Sequence, residues 1–152
     1  MRVHVYEAGR VQPVTLPDVA PETPAVEVLQ VAVGEVVATG HGVVEIDTTV
    51  TIREILGEGG GHVVKHPCRE LTVVMRYSGQ ERQLHLAPST LLGVVQHDAA
   101  AQFGINASQA ATLTLRQPGN AAAELSEVLP IGALTTNCTL VLDLGHILRP
   151  QG

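Results

Sequence analysis

The stretch LTVVMRYSGQERQLHL, residues 71–86, decides how this chain is read. Leu71, Val73, Met75 and Tyr77 alternate with Thr72, Val74 and Arg76, the period of two expected of a strand with one covered face. Ser78-Gly79 supplies turn chemistry, and Leu84 and Leu86 resume the alternation, so the segment predicts a hairpin. Beyond it, Pro88-Ser89-Thr90 offers a hydroxyl cap. Leu92, Val95, Ala99 and Phe103 then recur at helical spacing, and Gly104 stands where a left-handed C-terminal cap is wanted. Gly93 costs this helix about 1 kcal/mol relative to Ala without abolishing it. ATLTL (111–115) predicts a short strand with Leu113 and Leu115 on one side, and Gln117-Pro118-Gly119-Asn120 suits a type II turn. LSEVLPIGAL (125–134) reads as one short helical turn and a loop. CTLVLDL (138–144) reads as a last strand with Leu140, Leu142 and Leu144 on one face.

Working outward, the first half repeats the plan less clearly. MRVHVYEAGRVQPVTL (1–16) alternates Met1, Val3 and Val5, turns at Gly9 and resumes at Val11, Val14 and Leu16. Thr23-Pro24 is a good helix start, with Val26, Leu29 and Val33 on one side. EVVATG and GVVEI are short strands around His41-Gly42, TIREIL is a helical turn, GEGGG a loop and HVVKHP a closing strand. The alternative is an irregular α/β segment over 34–56, with only the second half following the plan. A repeat leaves almost no linker, so the two halves would be restricted in relative orientation.

Composition narrows the function classes. Fifteen acidic and nine basic residues give a formal charge of -6, and no Lys/Arg cluster offers the footprint a phosphate backbone requires. No apolar stretch approaches the roughly 20 residues needed to span a bilayer, and the N-terminus has no signal-like apolar region, so a cytoplasmic protein is expected. Two cysteines, Cys68 and Cys138, are too few for a disulfide framework and favour a reducing compartment. His62, His66 and Cys68 are close in sequence but lack a fourth ligand and the alternation of a tetrahedral site, so no metal is expected. No nucleophile elbow, P-loop or zinc-protease motif occurs. Ser89, Ser108 and Ser126 read as cap and turn residues, and Glu45-Asp47 and Glu124-Glu127 as solvated faces. No catalytic residue and no stably bound cofactor is expected.

Hairpin, helix, strand, tight turn, helical turn and strand in about 75 residues resemble ubiquitin. LTVVMRYSG matches its first strand and turn, PSTLLGVVQHDAAAQF its helix and TNCTLVLDL its final strand. The junction HPCRELTVVMRY is similar to that of bacterial tandem ubiquitin-like proteins, which resemble the interferon-induced two-domain modifier of vertebrates. The resemblance implies an α+β chain of two consecutive ubiquitin-like β-grasp domains, at 1–67 and 71–144, joined by a linker at 68–70 and followed by a flexible tail at 145–152. It further implies a modifier whose Gly152 carboxylate is adenylated by an E1-like activating enzyme using ATP, passed to cysteine thiols of that enzyme and an E2-like conjugating enzyme, and joined to amines of target proteins. A processing or deconjugating peptidase, and a setting in bacterial defence against phage, belong to the same implication. A non-conjugated interaction module is the alternative, and a sulfur carrier, normally a single domain, a third.

The tail residues Arg149, Pro150, Gln151 and Gly152 are the candidate site. Transfer needs a narrow extended peptide with an unhindered terminal carbonyl, and Gly152, without a Cβ, meets that need. The tail departs from ubiquitin's in ending Gln-Gly, in its greater length and in Pro150, while Arg149 stands in for a tail arginine. Ser78-Gly79 and the outward Asp143 depart from ubiquitin's apolar interaction patch. Lys65 is the single lysine against eight arginines, so it is the one side-chain acceptor for self-linked chains.

Overall fold

The computed structural model describes residues 1–118 and 125–146. Two mixed sheets, each with its own core, make up an α+β chain of two β-grasp domains. In the first lobe the strands are β1 (Val3–Glu7), β2 (Val14–Leu16), β3 (Val36–Thr39), β4 (Gly42–Val44) and β5 (Gly61–His66), in the order β2-β1-β5-β3-β4. Helices α1 (Ala25–Leu29) and α2 (Ile52–Leu56) interrupt them. The second lobe has β6 (Leu71–Tyr77), β7 (Gln80–Leu86), β8 (Leu113–Arg116) and β9 (Thr139–His146) in the order β7-β6-β9-β8. It adds α3 (Leu92–Gln102), α4 (Ala107–Ala110) and a 3₁₀ turn over Ile131–Leu134. In both lobes the opening strand runs parallel to the closing one, β1 against β5 and β6 against β9.

The decisive hairpin forms as its alternation demands. Leu71, Val73 and Met75 are buried, and Ser78 and Gly79 both take positive φ, the two-residue turn whose twist matches the flanking strands. The second core joins these residues to Leu92, Val95, Ala99, Leu113, Leu115, Ile131, Leu140, Leu142 and Leu144. With so few aromatics, each buried aliphatic side chain contributes about 1.5–3 kcal/mol. Gly93 has a packing reason: its N–H donates to Glu127 O at 2.9 Å, and a Cβ there would lie 3.3 Å from Glu127. Gly104 takes the left-handed conformation just past Phe103, as the spacing predicts.

In the first lobe β3, β4 and α2 occupy the region that the alternative reading left irregular. Two expectations about α1 fail. Pro24 is its N-cap rather than its first residue, and Gln30 turns left-handed at φ 52°, ending the helix before Val33, which is fully exposed. Ser89 does not cap α3 either, since its hydroxyl donates to Thr39 O of the first lobe at 2.9 Å.

That bond belongs to an interface that the sequence did not announce. The 3₁₀ turn packs on the outer face of the first sheet, where Gly9 N–H donates to Gly132 O at 3.3 Å. A Cβ on Gly132 would come within 2.8 Å of Val64 and 2.7 Å of Pro88, so only glycine lets the lobes close. His66 is fully buried there. Its Nδ1 accepts from Cys68 N–H at 3.0 Å, which leaves the proton on Nε2 to donate to Thr135 O at 2.8 Å.

Burial holds the His66 pKa below its ordinary 6.5, against the opposing pull of the Thr135 carbonyl and the Glu35 carboxylate. A depressed histidine contributes stability that is complete above the ordinary value and is lost as pH falls from there through the folded value. Melting temperature should therefore fall on acidification below about pH 6.5. The fall should be shallower in His66→Ala, which also loses about 1–3 kcal/mol at neutral pH by orphaning Thr135 O and Cys68 N–H. Parallel slopes for the two proteins between pH 7 and 5 would exclude this role.

Cys68 and Cys138 are bonded to each other with Cα atoms 5.6 Å apart, contrary to the expectation of free thiols. Because β6 and β9 are parallel neighbours, the segments leading into them meet although 70 residues separate the two cysteines. The bond ties the inter-lobe segment to the entry of the last strand. His66 and Cys68 thus serve the junction and are not a ligand pair. Among the described residues no group of three or more His, Cys, Asp or Glu could hold a metal ion. No helix among the described residues is long and apolar enough to cross a membrane.

Candidate functional site at the end of the last strand

Strand β9 is one of the two interior strands of the second sheet, parallel to β6 on one side and antiparallel to β8 on the other. Its apolar side chains Leu140, Leu142 and Leu144 anchor it in the core, so its exit is fixed by packing rather than by the segment that follows. The strand runs two residues further than its alternation indicated. Gly145 and His146, expected in the tail, pair with Thr114 and Leu113 of β8. The predicted site residues Arg149, Pro150, Gln151 and Gly152 lie outside the described residues. From His146 the chain to Gly152 can span at most about 20 Å.

Beside this exit is a shallow depression of about 400 Å³ whose lining includes Arg76, Tyr77, Ser78, Gly79, Glu81 and Asp143. Arg76 and Asp143 are register partners on β6 and β9. They form a two-pronged ion pair, Nε to Oδ1 at 2.7 Å and Nη2 to Oδ2 at 3.1 Å. The hydrogen bonds that Arg76 donates to Asp143, reinforced by the carboxylate's charge, raise the Arg76 pKa further. The outward Asp143 therefore puts a charge pair on this face of the sheet.

The polar groups set aside on sequence grounds have structural partners. Asp47 accepts from the Thr49 hydroxyl at 2.6 Å and from its N–H at 2.8 Å, which lowers its pKa. Glu45 pairs with Arg69 at 2.7 Å. Lys65 is 7% exposed and pairs with Glu7, its register neighbour on β1, at 3.3 Å. Sequence reasoning missed His66 and the Cys68–Cys138 bond, and no local signal could have found them, because their partners come from the other end of the fold.

The profile of the family described as BilA ubiquitin-like domain 2 matches residues 72–147. Among solved structures, a ubiquitin of Caldiarchaeum subterraneum is 15% identical, covering 54% of this chain and 99% of that one with a TM-score of 0.42. A de novo design based on ubiquitin is 16% identical, covering 55% of this chain and 95% of that one, also with a TM-score of 0.42. No curated protein matches the chain significantly in sequence.

Proposed function

The chain belongs to the family described as BilA ubiquitin-like domain 2, and from that premise we propose that it is a protein modifier attached through Gly152 to amines of target proteins. What supports the reading most directly is the second lobe itself, a ubiquitin-like domain whose last strand is locked between β6 and β8 and delivers the chain toward Gly152. In this scheme an E1-like enzyme joins the Gly152 carboxylate to AMP from ATP, releasing pyrophosphate. A cysteine thiolate then displaces AMP to give a thioester, and after passage to an E2-like cysteine a target amine displaces the thiol, forming an amide. The chain supplies the acyl group and the recognition surface, and its partners supply the catalysis.

A setting in bacterial antiphage defence and a tandem architecture like that of the two-domain vertebrate modifier belong to the same proposal, as does a cytoplasmic location. In a cytoplasm the exposed Cys138 side of the disulfide would meet thiol reductants. The second reading, a non-conjugated interaction module, is favoured by the seven-residue edge of β7, which is open to strand addition.

Incubating the protein with its activating enzyme and ATP separates the two. A modifier gives an enzyme adduct cleaved by hydroxylamine, followed by a mass increment on target lysines. Hydroxylamine is the appropriate reagent because it cleaves thioesters and spares the Cys68–Cys138 bond. No adduct with an activating enzyme shown to be competent on another ubiquitin-like substrate would leave the interaction module.

A further inference from the structure

A modifier is also a protein, and whether copies can be built on one another depends on its own amines. Within these 152 residues the only lysine is Lys65, against eight arginines. Acyl transfer needs a neutral amine whose lone pair comes within about 3–3.5 Å of the thioester carbonyl. Lys65 is placed against that need in three ways. Its side chain points to the core face of β5, in a recess of about 230 Å³ shared with Val5, Val14, Leu16, Val28 and Leu29. It is 7% exposed, so the apolar walls cover its stem and leave almost no approach for a second protein. Its nitrogen is engaged by the Glu7 carboxylate at 3.3 Å, an ion pair that an incoming acyl group would have to break. The exposed positive charges Arg10, Arg53, Arg69 and Arg76 are all guanidinium groups, which stay protonated and do not accept acyl groups under these conditions.

We propose that this chain is a terminating modifier for lysine linkage: resting on the conjugation reading above, each attached unit offers no lysine for the next. The recess in the first lobe thus closes the lysine route to longer products. Arginine in place of lysine at the surface and burial of the one lysine act in the same direction.

The test has two arms on the full chain and on Val33→Lys, whose new amine replaces a fully exposed valine. In the first, native protein is treated with sulfosuccinimidyl acetate and acetylation is followed by peptide mass spectrometry. Lys65 is expected to react at least tenfold more slowly than the lysine at position 33, with the two rates converging in denaturing urea. Comparable native rates would overturn the proposal. In the second, both proteins are supplied to the conjugating enzymes with a target. The expected products are no lysine-linked units from the native sequence and multiple units joined through position 33 from Val33→Lys. An isopeptide remnant on Lys65 would overturn the proposal, as would single units from both proteins, since the limit would then lie in the enzymes. Absence of any adduct from either protein would overturn the conjugation reading instead, and the labelling rates would then describe Lys65 alone.

Discussion

Removing Gly152, or replacing it with leucine, is expected to abolish covalent adducts completely while leaving the melting temperature within about 1 °C of the unaltered chain. The two halves of that expectation have separate causes. Stability is unaffected because the core contacts of the last strand are made by Leu140, Leu142 and Leu144, and its final pairs by Gly145 and His146. Transfer is lost because the acyl carbon is either missing or flanked by a branched side chain in a channel shaped for an unsubstituted Cα. Thioester formation with the activating enzyme, read on non-reducing gels before and after hydroxylamine, reports the first committed step, and intact mass reports the last. Adducts persisting at normal yield in both variants would sink the assignment of Gly152, and a large loss of stability would show that residues past His146 belong to the fold.

The second large effect concerns the disulfide. Cross-linking residues 70 apart removes chain entropy from the unfolded state worth about 4 kcal/mol on the loop-closure model. Reduction, or Cys68→Ser together with Cys138→Ser, is therefore expected to lower the melting temperature by on the order of 10 °C. The loss should be local. Hydrogen exchange should accelerate first at the entry of β6 and β9, where Thr72 N–H donates to Cys138 O at 2.8 Å. The first lobe, whose core contains neither cysteine, should keep its protection. The serine variants should still form adducts, because the thiols that carry the thioester belong to the partner enzymes. Unchanged melting on verified reduction would mean that the unfolded chain is already compact enough to make the cross-link redundant.

The strands and the larger helix were legible from the residues alone, because those depend on local periodicity. Leu71, Val73 and Met75 alternate whatever else the chain does, Ser78-Gly79 can only turn, and Leu92, Val95 and Ala99 share a face by helical geometry alone. From these the order of elements followed, and with it the resemblance to ubiquitin. Boundaries were legible only where a local residue enforces them. Gly104 ends α3, but nothing in GHILRPQG marked that β8 would hold Gly145 and His146 in the sheet. Nor did VLQVAV mark that Gln30 would turn left-handed and leave Val33 in water. The roles of Cys68, Cys138, His66 and Lys65 were set by folding alone. Each depends on a neighbour brought in by a parallel strand pair or by the lobe interface: Cys138 beside Cys68 through β6 and β9, Glu7 beside Lys65 through β1 and β5, Thr135 beside His66 across the lobes. Parallel pairing and lobe packing join residues that no sequence window spans, so the chemistry of a thiol, an imidazole and an amine was fixed by contacts formed only when the chain folded.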